Sequence, residues 1–373
     1  MLAVHVGVNL LFIAPGEMGG LEVYARELVA ALAKRDDVRL TLFLNRLAGP
    51  DWEGLAPAAV ARIDPRHRVQ WVAGDQLHAV RLAKRTGVDL VHSLAGTSPA
   101  RGRFARVVTV NDLHYRVHPE AHFGLRALGM RALVPLAVRR AHRVIVPSEA
   151  TRSDLLRFTG VAAERVDVIP DGIGQSTGAG GGRDAARERL GAGARPVVLS
   201  VSAKRPHKNL ARLIGALALI PADRRPLLVL PGYPTPHERE LRRLAGQRGV
   251  PGDVRFLGWV SAAELDDLYR AADCFVFPSL YEGFGLPVLE AMSRGVPVAT
   301  SGRASLAEVA GDAALTFDPE DEASIAAALE AMLADEALRE RLRAAGRARS
   351  AEFTWQRTAE LTVESYRRAL AER

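Results

Sequence analysis

The sequence predicts an α/β protein of two Rossmann-like domains, with parallel sheets facing an interdomain cleft. Three observations carry that reading. Short apolar runs alternate with amphipathic stretches along the chain, the pattern of strand–helix–strand units. A glycine-rich segment that cannot fill a core interrupts the alternation near the middle, with Gly174, Gly178, Gly180, Gly181, Gly182, Gly191 and Gly193. At 373 residues the chain is also too long for one ordinary core and fits two.

Taken in order, the apolar run 4–8 is the first buried strand, since no basic leader precedes it to make a signal peptide. Gly19 and Gly20 then open an amphipathic helix at 21–34, followed by a strand at 38–44. Further elements of this half are a helix at 76–86, strands at 90–92 and 107–110, a helix at 126–140 and a strand at 144–146. Beyond the glycine-rich segment come strands at 197–201, 227–230, 254–256, 274–277 and 296–300. Helices at 209–220, 236–248, 262–271 and 287–294 lie between them. Near the end, Trp355, Ala359, Val363, Tyr366 and Leu370 fall along one helical face, which suits a helix packing back on the first domain. The expected division is therefore a domain at 1–172 joined by the 354–373 helix, a linker at 173–193, and a domain at 194–353.

Composition bounds the class. With 48% hydrophobic and 25% charged residues the chain reads as a soluble globular protein. Its single cysteine, Cys274, lies in an apolar strand, forms no internal disulfide and reads as a small core residue. No apolar run reaches the roughly 18 residues of a membrane-spanning helix, so a cytoplasmic enzyme is the default. Charge is uneven: through Pro170 there are 23 Lys and Arg against 16 Asp and Glu, whereas from Asp171 onward there are 27 of each. A basic half suits an anionic partner, a membrane face, a lipid diphosphate or a nucleic acid, and equally a plain solvated basic surface. The segment 122–143 mixes Arg126, Arg131, Arg139, Arg140 and Arg143 with leucines, and reads either as a core-facing helix with a solvated arginine edge or as a membrane-surface helix.

The segment from Tyr281 to Glu290 carries most of the chemistry. It follows the apolar run 274–277, so Glu282 sits on a loop at the carboxyl end of a strand, where ligands of such sheets gather. Pro287 suits the first turn of a helix and places Glu290 inside it. The Gly283–Gly285 amides then meet a helix N-terminus, a setting for a phosphate with a carboxylate on each side. Acids also favour helix starts for purely structural reasons, which is the plain alternative.

The span from Val254 to Asp318 resembles the retaining glycosyltransferases of family 4, which have the two-domain GT-B fold. The likeness rests on Phe256-Leu257-Gly258-Trp259-Val260, Leu268-Tyr269, Pro278-Ser279, the Glu282 and Glu290 pair, Ala291-Met292 and Gly295-Val296-Pro297-Val298. It continues in Gly19-Gly20, Lys208-Asn209-Leu210 and Phe353-Thr354-Trp355. The resemblance implies that Glu282 reaches the donor sugar hydroxyls, that Glu290 binds the ribose diol and that Lys208 neutralises the diphosphate as the sugar bond breaks. It places Gly283, Phe284, Gly285, Leu286, Gly258, Trp259, Val260 and Ser279 around the donor, and Gly19 and Gly20 at a phosphate or acceptor loop.

Departures from the family pattern bear on the donor. Ala203 stands where the family usually has a basic residue, with Lys204 and Arg205 nearby; Arg205 is the candidate to supply the charge. Asn111 replaces a histidine that touches the sugar's primary hydroxyl, with His114 as a second candidate, and Asp171-Gly172 stands in place of asparagine-glycine. No Asp-x-Asp pair and no metal-type histidine cluster occur, so the co-substrate is a nucleotide diphosphate sugar with no metal or other cofactor. The implied function is retaining transfer of a hexose, first mannose from GDP-mannose, to a hydroxyl acceptor that a lipid can carry. Acceptor contacts would come from loops around Gly19 and at 45–52, 95–103 and 115–125. A nucleotide-sugar epimerase of the same fold and a catalytically silent partner subunit are the alternatives. The lack of Gly-x-Gly-x-x-Gly after the first strand speaks against a dinucleotide oxidoreductase, and no nucleic-acid partner is expected.

Overall fold

The structure, a computed structural model, describes residues 3–48, 52–117, 125–174 and 181–373. It divides into two compact units, one of 1–172 with 353–373 and one of 173–352. The first unit holds seven strands: β1 Val4–Asn9, β2 Val38–Asn45, β3 Ala58–Ala61, β4 Leu90–Ser93, β5 Ala105–Thr109, β6 Arg143–Val146 and β7 Val166–Val168. They pair in parallel in the order β3-β2-β1-β4-β5-β6-β7. The second unit holds β8 Val197–Leu199, β9 Leu227–Leu230, β10 Val254–Phe256, β11 Cys274–Phe277, β12 Val298–Ser301 and β13 Leu315–Phe317. Their order is β10-β9-β8-β11-β12-β13, again parallel. Helices cover both faces of each sheet, which is why the strands read as continuous apolar runs rather than alternating ones. In each sheet the winding direction reverses once, between β1 and β4 and between β8 and β11. Loops leaving the carboxyl ends of such a pair diverge and leave a crevice for a ligand.

The final helix, Trp355–Ala371, belongs to the first unit. Thr354 caps it by accepting from the Arg357 amide. Trp355, Ala359, Val363 and Tyr366 enter the same core as Val6, Val8, Leu42 and Tyr24. A polar thread runs through that core. The Tyr366 hydroxyl lies 2.8 Å from His92 Nδ1, and His92 Nε2 lies 2.8 Å from Thr109 Oγ1, which the Tyr24 hydroxyl also reaches. Gly172 allows the closing approach: a Cβ there would stand 2.3 Å from the Trp355 backbone nitrogen.

Several expectations need correction. The glycine-rich stretch is not linker throughout, because Gly182–Leu190 is a helix whose Ala186 and Leu190 are buried. Its start is fixed from outside: the Gly181 and Gly182 amides donate to the Asp267 carboxylate, at 2.9 and 3.1 Å. Arg143 is not part of a solvated helix edge. It opens β6, is buried, and is paired with Asp167. The preceding helix, Leu125–Arg140, buries Val134, Ala137 and Val138 and exposes Arg131, Arg139 and Arg140; residues 118–124 lie outside the described residues. The helix expected at 76–86 is the later part of a longer helical run that starts at Arg68–Ala73, passes through a π turn at Gly74–His78 and continues over Ala79–Thr86. Strands β3, β7 and β13 and the helices Glu149–Thr159, Ala304–Ala310, Glu322–Ala334 and Glu336–Ser350 were not foreseen. Among the described residues no helix is long and apolar enough to cross a membrane.

Candidate active site

The second sheet brings its candidate residues together at its own reversal point. After β8 the chain runs through Ser200–Arg205 into a 3-10 turn, Pro206–Lys208, and after β11 through Pro278–Gly285 into the helix Leu286–Ser293. Side chains and amides stitch the two loops. The Leu280 amide donates to the His207 carbonyl at 2.9 Å, and Ser279 Oγ does so at 3.2 Å. Asn209 adopts a left-handed conformation, φ 59°, which asparagine tolerates better than most residues. Its Nδ2 donates to the carbonyls of Pro278 and Pro319, at 3.0 and 2.6 Å. With the loops so joined, Lys208 Nζ stands 2.5 Å from Glu282 Oε1 and 5.5 Å from the centre of the Phe277 ring. The Glu282 carbonyl is itself held by Ser305 Oγ at 2.7 Å.

The helix after Glu282 starts where the sequence places it. Gly285 has φ 118°, and a Cβ there would meet Leu306 Cδ2 at 2.6 Å, so this position takes only glycine. Gly285 offers no side-chain cap, and Pro287 stands in the first turn. One turn on, Glu290 Oε2 accepts from the Tyr269 hydroxyl at 3.0 Å. Burial pushes the Glu290 carboxyl above its ordinary range, and the nearby Arg294 guanidinium pulls it back. Arg294 is committed to Asp266, with Nε 2.7 Å from Oδ1.

Other candidates fall into different roles. Ser279 is fully buried and its hydroxyl is spent on the His207 and Tyr281 carbonyls, so it shapes the loop rather than facing a ligand. Phe284 is buried and Leu286 half-buried. Gly258 and Trp259 are exposed and Val260 half-buried on the loop after β10; the Trp259 ring stacks on Tyr233 with centroids 4.4 Å apart. The tandem Lys204-Arg205 splits. Lys204 is fully buried, its ammonium on the Gly232 and Leu257 carbonyls, and burial lowers its pKa to about 8. Arg205 stays exposed. The inward turn of Lys204 ties the loops after β8, β9 and β10 together, a role that sequence alone did not suggest.

In the first unit, Gly19 caps the helix Gly20–Ala33 with φ 56°, and the space beside Gly20 is open. The Glu22 carboxylate folds back to accept from the Gly16 amide at 3.1 Å. Asn111 follows β5, and its Nδ2 donates to the Leu94 carbonyl at 2.9 Å, which joins the loops after β4 and β5. Asn111 is half-buried, and beyond that bond its Oδ1 can still accept and its second amide hydrogen can still donate. His114 is buried in a short helix, His114–Val117, so Asn111 is the better placed of the two. Residues 49–51 and 118–124 of the expected acceptor loops lie outside the described residues. Among the described residues no three His, Cys, Asp or Glu side chains form a group able to hold a metal ion.

The site can therefore offer a cation, an acid beside it, a helix start without a side-chain cap and a second acid one turn further. Comparison with known proteins bears on what such a site does. A profile described as Glycosyl transferases group 1 matches residues 182–349, and one described as Glycosyltransferase Family 4 matches 18–175. The chain is 32% identical over 272 residues to the O-antigen chain mannosyltransferase B of Escherichia coli, which covers 70% of each chain. It is 31% identical to the D-inositol 3-phosphate glycosyltransferase of Kineococcus radiotolerans, over 100% of this chain and 95% of that one. Its fold is similar to a sucrose-phosphate synthase from Thermosynechococcus elongatus, with a TM-score of 0.80, 24% identity and 99% of both chains covered.

Proposed function

The chain belongs to glycosyltransferase family 4, and we propose that this glycosyltransferase of GT-B type moves a mannosyl group from GDP-mannose to a hydroxyl acceptor, with retention at the anomeric carbon. The observation that carries the reading is the Lys208–Glu282 pair at the β8/β11 reversal. The two charges satisfy each other. A nucleotide diphosphate sugar would part them: its diphosphate takes the lysine and its sugar hydroxyls take the carboxylate. The helix-start amides hold the same diphosphate, and Glu290 accepts from the ribose diol.

In the reaction the C1–O bond to the β-phosphate breaks and GDP leaves with the electron pair. The acceptor oxygen bonds to C1 from the same face and passes its proton to the departing phosphate oxygen. Negative charge grows on that phosphate as the bond breaks, so Lys208 and the amides act most strongly in the transition state. Arg205 is exposed on the same loop and is the second candidate cation. The family resemblance gives Asn111 the role of touching the sugar's primary hydroxyl. The mannosyltransferase relative supports mannose as the sugar. The basic first half supports an acceptor carried on an anionic surface, a glycolipid or lipid-linked glycan at the inner face of the cell membrane.

The test is a transfer assay with GDP-mannose, UDP-glucose and UDP-N-acetylglucosamine against lipid-linked acceptors and D-inositol 3-phosphate. An α-linked mannoside from GDP-α-mannose, lost in Glu290→Ala, is the expected result. A β-linkage would refute retention, transfer only from a uridine donor would refute the donor, and conversion of the donor without an acceptor would favour an epimerase.

A further inference from the structure

A second site lies in the first unit, at the opposite ends of its strands from Gly19 and Asn111. A cavity of about 390 Å³ opens at the amino ends of β5 and β6. Arg106, Arg139, Arg140, His142, Arg165 and Glu372 line it. Arg106 is the second residue of β5 and Asn111 follows the end of that strand, so the two lie roughly 16 Å apart along the chain direction.

The cavity sets four arginines against one acid, Glu372. Arg106 is buried, and its donors go only to neutral carbonyls: Nε to Pro99 at 2.8 Å, and the terminal nitrogens to Gly102 and Phe104. Arg165 reaches the Val138, Arg139 and His142 carbonyls and so closes the end of the Leu125–Arg140 helix. The negative helix terminus is therefore already met, and it does not explain Arg139 and Arg140. Glu372, the one acid on the wall, is drawn to Arg143 at 3.2 Å. Among the described residues no carboxylate pairs with Arg106, Arg139, Arg140 or Arg165. His142 Nδ1 accepts from the Arg106 amide at 2.9 Å, which leaves Nε2 as the ring's donor. Burial first, then Arg140 and Arg373, lower the Arg106 pKa; burial first, then Arg106 and Arg165, lower that of His142. A buried cation without a counter-charge is costly, and clustering three more beside it raises the cost.

We propose that this cavity binds a phosphate monoester, carried by a small phosphorylated metabolite or by a lipid headgroup. A phosphate dianion supplies the missing charge, its oxygens match the planar arginine forks, and a neutral imidazole N–H can add one donor. The volume suits a small molecule rather than a peptide.

The test uses the full chain, with sn-glycerol 3-phosphate followed by calorimetry and phosphatidic acid in phosphatidylcholine vesicles followed by sedimentation. The exposed double substitution Arg139→Gln/Arg140→Gln should weaken glycerol 3-phosphate binding about tenfold or more without lowering the ligand-free Tm. Lys208→Ala, at the proposed donor site, should leave that binding intact. Vesicle binding that the double variant also loses assigns the ligand to a headgroup. Glycerol 3-phosphate binding without vesicle binding assigns it to a metabolite. Neither probe binding, binding that survives the double substitution, or binding lost in Lys208→Ala instead would each overturn the proposal, and the last would leave the donor-site reading standing.

Discussion

Lys208 and Glu282 carry charges at 18% and 14% side-chain exposure, so each is partly withdrawn from water and depends on the other. Removing either leaves its partner uncompensated, and the two losses should read differently. Lys208→Ala is expected to lower kcat by about 10²–10³-fold with a smaller change in donor KM, because phosphate charge develops in the transition state. Equal losses in binding and rate would show that the lysine holds the donor rather than the leaving group. Asp171 offers a second test. Burial raises its carboxyl pKa to about 7, while the unfolded chain titrates it near 4. The folded state holds that proton more tightly, so the contribution to stability is full below about pH 4 and is lost as pH rises through 7. Asp171→Asn should therefore raise Tm by a few degrees at pH 8 and leave it unchanged at pH 4. An equal effect at both pH values would place the cause in packing instead.

At the scale of elements, the terminal helix is held by more than apolar burial. The His92 ring is buried between Tyr366 and Thr109, and burial lowers its pKa to about 3. Because the unfolded value is near 6.5, the stability this neutral ring contributes is present above that pH and is lost on acidification toward 3. Tyr366→Phe deletes one hydroxyl and leaves a buried ring nitrogen without its partner, at a cost of about 1–3 kcal/mol. Urea unfolding at pH 7 reads that cost; a midpoint equal to wild type would mean that His92 finds another partner. The apolar face of this helix was legible from Trp355, Ala359, Val363 and Tyr366 alone, since helical spacing is a local property. His92 was not legible as a core residue, because its partners are 17 and 274 residues away.

Over the whole molecule, the strand–helix alternation announced parallel sheets, and strand order followed only from pairing. Short strands with mixed burial, such as Ala58–Ala61 and Leu315–Phe317, escaped notice because edge strands lack the apolar run that marks a central one. The glycine-rich stretch misled for a related reason: its helix is anchored by Asp267, some 85 residues on. The proposed mechanism assigns leaving-group charge to Lys208 and helix amides with no metal. Chelation with EDTA should therefore leave the transfer rate within about twofold, and loss of rate restored by a divalent cation would refute that assignment.

By itself the sequence determined the fold class, the loop position of Glu282, the helix carrying Glu290 and the resemblance that ties them to Lys208. Each of these rests on local spacing or on residues in a fixed order. Only the tertiary structure decided which polar groups face a ligand and which are spent on the protein. Lys204 and Arg205 are neighbours in sequence, yet one is sealed among carbonyls and the other is exposed. Ser279 sits beside the site and serves the backbone. Four arginines from three separate segments meet at the far end of the first sheet, against a single acid, Glu372. The reason is common to all of these: a side chain's role depends on what long-range packing places against it, and strand order sets that packing.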